Sequence, residues 1–453
     1  MAEPMDMSPV QKRARHTLST QTSTLSSQSS QSSLPSAGRM SRQASSIQEA
    51  AVPTLPETPG HVFVFGTGDT GQLGLSDEML IRKRPMPLKV LDDEDIVDIV
   101  CGAMHTIAIT REGKLWSWGC NDQGALGRSG EEYEPEKVEN LDTEHIVKVA
   151  CGDSVTIALN DEGKLFCWGT FRSAEGALGF SQEQDVQKTP AIFEPLANET
   201  IVDIAAGADH CVALTNDGRV YTWGNGQQYQ LGRRIIERRK KNALTPETIR
   251  LRNIKAIGAG AYHSFALNDQ NELYVWGFNN FQQCGLWTDD NQSPPDQTMP
   301  TIITTLEGQV KQVAAGEHHS LVLMEDGHVY AFGRADSSQL GFPSSLIQKL
   351  TEDQNANGDT TRSGFKRAIG IPTRIPNLEN INSIASGSNH AIALTNDGVA
   401  YTWGFGETSA LGNGSDEDEE LPCRLTGQKL EGFKVLRIAG GAQHSAIVAS
   451  NTL

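Results

Sequence analysis

Asp153, Asp209 and the pair Glu317-His318 are the residues of this chain whose types and placement could do chemistry, because each stands one or two positions after a glycine in a short loop that recurs along the sequence. Carboxylates beside an imidazole can move protons or attract a cationic partner. Covalent catalysis is not indicated. No nucleophile has a recognisable partner, no Gly-x-x-x-x-Gly-Lys phosphate loop is present, and no metal-ligand spacing occurs, so neither a metal nor a cofactor is expected. Gly66-Thr67-Gly68-Asp69-Thr70-Gly71 matches a dinucleotide fingerprint. No helical pattern follows it to place an amino terminus under a pyrophosphate, and Gly224-Asn225-Gly226 and Gly404-Phe405-Gly406 occupy the same place elsewhere, so these glycines belong to a repeat. The remaining chemistry is cationic: Arg233, Arg234, Arg238, Arg239, Lys240 and Lys241 fall within nine residues, and Lys12, Arg13 and Arg15 form a smaller cluster. Such runs can meet an acidic partner or act as nuclear-import signals.

The elements that must position these residues are set by the repeat. Phe65-Gly66, Trp118-Gly119, Trp168-Gly169, Trp223-Gly224, Trp276-Gly277, Phe332-Gly333 and Trp403-Gly404 recur at intervals of 50 to 71 residues. In six of these units a glycine, from Gly102 to Gly387, stands 17 residues before the second glycine without a gap. Gly113, Gly163, Gly218, Gly327 and Gly398, with Asn271 as the one substitute, stand eleven past the first, where a tight hairpin needs positive φ. The apolar segments between them are short and alternate, which predicts strands, with a further strand after each Leu-Gly. About four antiparallel strands per unit, repeated at this period, predict an all-β, seven-bladed β-propeller. The chain begins with an unpaired carboxy half, Val62 to Gly66, and ends with an unpaired amino half, Ile438 to Ser445, so the N- and C-terminal segments are expected to pair and close the ring.

Composition agrees with one large repeat domain. Hydrophobic residues make up 38% of 453, and no apolar run approaches the roughly 20 residues that span a bilayer, so no membrane segment is expected. Seven scattered cysteines without a Cys-x-x-Cys pair fit a reduced intracellular protein. Net charge is −18; residues 1–50 carry five basic against three acidic groups, leaving −20 on the rest. An acidic body disfavours a broad nucleic-acid surface and favours a basic protein partner. Residues 1–58, rich in Ser, Thr, Gln and Pro and without aromatics, are expected to form a disordered tail emerging near the ring's seam, with 59–453 as a single propeller domain.

The set Gly-x-x-His-(Ser/Thr), Trp-Gly and Ala/Gln-Leu-Gly, variants of which recur in every unit over residues 61–449, resembles the regulator of chromosome condensation family. The resemblance implies a seven-bladed propeller. Within the family, the unit-specific loops look most like those of the exchange factors for the Ran GTPase. It then implies a protein that promotes GDP release by non-covalent displacement while docked on chromatin in the nucleus. Under it Asp153, Asp209 and His318 fall at exchange-critical positions, and Asp69 and Arg172 at further GTPase contacts. Ten residues rather than eight separate Gly169 from Gly179, which predicts a protruding hairpin that matches the family's inserted wedge. Ser173 and Glu175 lie in that wedge, and Glu317 on the same acidic face, although Ser173-Ala174-Glu175-Gly176 departs from the more polar family pattern. The 233–241 run matches an inter-blade loop that engages the acidic histone face of the nucleosome. The tail cluster would assist with DNA and engage a nuclear import receptor. A non-catalytic propeller scaffold would share every repeat feature and is the alternative.

Residues held at constant repeat positions are expected to be structural. His105, His210, His263, His319, His390 and His444 should hydrogen-bond within their blades, with Val155 as the exception. The tryptophans should form repeat core. An insertion at 342–371, containing Asn355 to Asp359, reads as a flexible loop without chemistry.

Overall fold

The strands fall where the glycine spacing puts them. The computed structural model of the chain describes residues 50–286, 296–356 and 367–451. From the axis outward, the first blade pairs Ile96–Cys101, His105–Thr110, Leu115–Gly119 and Glu136–Lys137, all antiparallel. Six further four-stranded sheets complete a seven-bladed propeller. The last is made from both ends of the chain: Phe433–Gly440 and His444–Asn451 form its inner pair, His61–Thr67 and Ile81–Pro87 its outer pair. Residues His61 to Gly66 zip onto Ala449 to His444, so the ring is closed by the expected pairing of termini. The hairpin glycines have φ between 70° and 83°, and Asn271, at 65°, adopts the same conformation.

The first glycine of each unit has a different cause. Around the axis, backbone N–H groups of Ala103, Asp153, Ala208, Ala261, Glu317, Ser388 and Ala442 donate to Gly152, Ala208, Ala261, Gly316, Ser388, Gly441 and Ala103 carbonyls, one blade to the next, until the ring returns to its start. A Cβ on Gly152 would stand 2.5 Å from the Gly207 oxygen. Only glycine lets adjacent blades approach so closely.

The repeat histidines join neighbouring blades rather than bonding within their own. His105 Nε2 lies 3.0 Å from Thr156 Oγ1 of the second blade, and that hydroxyl donates to the Ala125 carbonyl of the first at 2.9 Å. The hydroxyl's proton is thereby used, so it accepts from Nε2–H. The Trp168 indole donates to the same carbonyl at 2.7 Å. The set recurs as His210, Ser264, the Gln230 carbonyl and Trp276. Where Ala391 offers no hydroxyl, His319 uses Ser386 Oγ at 3.0 Å instead; where Val155 replaces the imidazole, Cys211 replaces the hydroxyl. Burial pushes these imidazoles down to about 4 for His105 and about 3 for His210, which keeps them neutral donors. Leaving one such donor unpaired costs about 1–3 kcal/mol. Trp118, Trp168, Trp223, Trp276 and Trp403 are fully enclosed, whereas Trp116 is half-buried with the Lys137 ammonium 5.2 Å from its ring.

Two expectations about irregular segments change. Residues 50–58 pack on the propeller: Ala50 N–H donates to Asn216 O, Val52 and Leu55 pack against the apolar clusters between the first four blades, and Gly60 bridges Ile96. This strap runs across the hairpin-turn end of the propeller and reaches the third blade, not the seam. Its apolar residues are too few to stand out in a Ser-rich, Pro-rich sequence. Lys12, Arg13 and Arg15 lie outside the described residues. In the 342–371 insertion, Ser344–Ala356 forms an α-helix that seats Ile347 in the cluster between the fifth and sixth blades; residues 357–366 lie outside the described set.

Candidate functional site

The loops joining the first and second strands of the blades converge on one end of the axis, around a cavity of about 160 Å³ lined otherwise by Gly, Ala, Ser and Cys. Asp153 and Glu317 are its charged lining residues. Asp153 opens to solvent, yet the protein walls around the mouth and the charge of Glu317 hold its carboxyl above the usual range, with Arg172 pulling the other way. So much like charge is suited to a cationic partner surface.

Asp209 does a second thing that the spacing did not reveal. The ten-residue connection in the second blade forms a hairpin, Phe171–Ser173 against Gly176–Gly179, separate from the blade sheets. Phe171 and Leu178 root it in the core between the second and third blades. Arg172 N–H donates to Asp209 Oδ1 at 2.5 Å, Asn225 Nδ2 donates to the Arg172 carbonyl at 3.0 Å, and Ala174 N–H donates to Gln227 Oε1 at 3.3 Å. The third blade therefore holds the hairpin's first strand by its backbone. Burial raises the Asp209 carboxyl from its ordinary 3.8 to about 7, with Asp153 adding to the rise and the Arg172 N–H and guanidinium opposing it. Asn225 and Gln227 were not singled out in the sequence. Their signal was available only as unit-specific residues after Trp223-Gly224.

His318 is largely enclosed, with Nδ1 3.8 Å from Glu317 Oε1. Tyr262, from the preceding blade's loop, stands with its ring centroid 5.9 Å away, and feels the charges of Glu317, Asp153 and Asp209. Burial first, and then those charges, push its phenol up to about 12. The structure thus brings Asp153, Asp209, Arg172, Glu317 and His318 to one face.

The other sequence-derived residues divide. Asp69 lies exposed in the connection after His61–Thr67 on the same face, its carbonyl accepting from Tyr133 OH at 2.8 Å. Ser173 and Glu175 sit at the wedge's tip and turn toward the third blade: Ser173 Oγ donates to Glu175 Oε2 at 3.0 Å, and Lys240 pairs with Glu175. That pairing, with help from Ser173, holds the exposed Glu175 carboxyl down to about 2. The basic run is not an inter-blade loop. It lies inside the third blade's connection between Val220–Gly224 and Glu247–Thr248. Arg233 repeats the role of Arg128, which follows Leu126-Gly127 as Arg233 follows Leu231-Gly232. Arg128 is buried and donates to the Ser117 and Glu134 carbonyls; Arg233 donates to those of Thr222, Ala243 and Thr245 and pairs with Glu247 at 3.4 Å. Lys240 is committed to Glu175 and Glu237, and Lys241 to Asp185 at 3.6 Å. Arg234, Arg238 and Arg239 are exposed and make no ion pair among the described residues.

The chain is similar to known proteins along most of its length. The profile of the RCC1-like domain matches residues 61–447. Protein pim1 of Schizosaccharomyces pombe is 38% identical over 440 residues, 92% of this chain and 79% of that protein. The guanine nucleotide exchange factor SRM1 of Saccharomyces cerevisiae is 34% identical over 86% of this chain and 87% of its own length. Prp20p of Saccharomyces cerevisiae, whose crystal structure was determined with its binding properties to Gsp1p and histones, superposes with a TM-score of 0.82 at 35% identity, covering 88% of this chain and 93% of that one. The yeast Prp20 solved with Kap60 bound gives the same TM-score at 34% identity, over 93% and 97%.

Proposed function

The chain belongs to the family of RCC1-like domains, and from that membership we propose that it is a guanine nucleotide exchange factor for a GTPase of the Ran class, acting from the face that carries Asp153, Asp209, His318 and the wedge. The observation that carries the reading is the wedge, a hairpin outside the blade sheets whose backbone is pinned by Asp209 beside an acidic channel mouth. A plain scaffold has no need to hold a hairpin there. No bond of the nucleotide is made or broken. The propeller binds the nucleotide-free GTPase better than the loaded one, and by reciprocity the nucleotide is held less tightly. Loosening it a thousandfold takes roughly 4 kcal/mol of coupling, within the range of one protein interface. In this reading the wedge presses on the partner's phosphate-binding loop, Asp153, Asp209 and Glu317 hold its basic side chains, and His318, Arg172 and Asp69 complete the contact.

The test is release of a fluorescent GDP from purified Ran, with and without a small molar fraction of this chain. Release accelerated by roughly 1,000-fold or more, matching the roughly 4 kcal/mol of coupling, is expected. Release at the intrinsic rate would assign the chain to the scaffold class.

The exchange site works on chromatin, in the nucleus, with Arg234, Arg238 and Arg239 meeting an acidic histone surface. Their exposure and their lack of ion-pair partners among the described residues support this, as do the reported binding properties of the relative Prp20p to histones and the structure of yeast Prp20 with Kap60 bound. Lys12, Arg13 and Arg15 of the tail serve DNA and an import receptor in the same scheme. Charge reversal of Arg234, Arg238 and Arg239 together is expected to weaken nucleosome capture at least about tenfold at physiological salt without lowering the unfolding midpoint. Arg233→Glu, by contrast, should destabilise the blade, because it empties a buried carbonyl socket. If the triple reversal alters nuclear import but not nucleosome capture, the run is an import signal.

A further inference from the structure

His318 is held by a cluster of rings that the repeat does not require. Its imidazole centroid lies 4.4 Å from that of Phe281, at 57° between planes. The Arg334 guanidinium stands 5.2 Å from the Phe281 centroid, and its Nε donates to Asp336 Oδ1 at 2.6 Å. Arg334 also gives its backbone N–H to the His318 carbonyl at 2.9 Å. Phe278 and Tyr262 each stand 5.9 Å from the imidazole and 6.2 Å from one another. Four residues past the aromatic-Gly glycine, where the fourth blade has Phe281, other blades have Thr70, Gln123, Gln228, Ser337 and Thr408. The fold therefore accepts a polar side chain at this place, and an aromatic one there answers to something else. The blade with Phe281 is the one that precedes His318.

We infer that Phe281, backed by the Arg334–Asp336 pair, is a positioning residue for nucleotide exchange, fixing the ring of His318 before the GTPase arrives. Without that wall the imidazole would populate other rotamers, and binding would have to order it again. An aromatic ring in contact with both an imidazole and a guanidinium is attractive to both, whichever protonation state the imidazole adopts. This inference rests on the exchange reading above.

The experiment measures KM and kcat for GDP release from Ran with the full chain and with Phe281→Leu, Phe281→Tyr, Arg334→Met, His318→Ala and the double variant Phe281→Leu/His318→Ala. Phe281→Leu should raise KM about tenfold with little change in kcat or unfolding midpoint, and should add nothing to His318→Ala in the double variant. Phe281→Tyr, which keeps the ring, should restore near wild-type values, and Arg334→Met should fall between. A merely structural role would instead lower the unfolding midpoint and multiply with His318→Ala. The inference is overturned by multiplying effects, or by a Phe281→Leu variant that exchanges like the wild type while His318→Ala does not. A wild-type chain that releases no GDP removes the exchange reading as well.

Discussion

Asp209→Ala is expected to cut stimulated GDP release by roughly 100-fold, the size of effect that follows when a reacting surface is displaced by about 1 Å. Two losses combine in that variant. A carboxylate leaves the acidic face, and the Arg172 N–H loses the acceptor that holds the wedge's first strand. Asp209→Asn separates them, because the amide oxygen still accepts from Arg172 while the charge is gone. If wedge position is what matters, the asparagine variant keeps most of the rate; if charge is what matters, the two variants fall together. Unchanged release in both would remove Asp209 from the mechanism.

The same carboxyl makes the reaction sensitive to pH. With its value near 7, Asp209 is largely protonated below neutrality and ionised above it. Attraction of a basic partner therefore grows as pH rises through 7, and release should rise through that point in wild type and lose the step in Asp209→Asn. Stability runs the other way. The folded chain keeps a proton that the unfolded chain gives up above its ordinary value near 3.8, so this group's contribution to stability falls as pH rises from about 4 to about 7 and is flat beyond.

Replacing Arg172–Ala177 by two glycines should abolish coupling more completely, lowering stimulated release about 1,000-fold if the wedge supplies the whole of the roughly 4 kcal/mol. The cut leaves Phe171 and Leu178, the buried roots, in place, and the hairpin belongs to no blade sheet. The unfolding midpoint should therefore hold. Retained release in a folded variant would show that the acidic face alone drives exchange. The excision also frees Lys240 from Glu175, so capture of nucleosomes by the trimmed chain should be equal or stronger.

Much of the site was legible because a repeat writes its own control. Wherever six units agree, the residue serves the fold; wherever one departs, as at Asp153, Asp209, His318 and the ten-residue gap after Gly169, it is available for function. The same rule, applied further, would have found Phe281 and would have excluded Arg233, since Leu126-Gly127-Arg128 already showed an arginine in that place. Other features could not be read in this way. Glu175 and Lys240 are 65 residues apart, Asp209 and Arg172 are 37, and nothing local to either partner announces the other.

The sequence by itself determined the period, the number of blades, the hairpin turns and the closure of the ring by the two termini. Those are set by backbone requirements, positive φ at Gly113 and its equivalents and alternating apolar strands, that each unit states locally. Only the tertiary structure decided what the loops do to one another. It showed that the repeat histidines clamp adjacent blades, that Val52 and Leu55 tie the segment before Gly60 across the far end, and that Asp209 carries the wedge. Those are contacts between different blades, or between a strap and blades it does not belong to. Their energies depend on which surfaces the closed ring brings within 3 Å, a condition that exists only once the ring has formed.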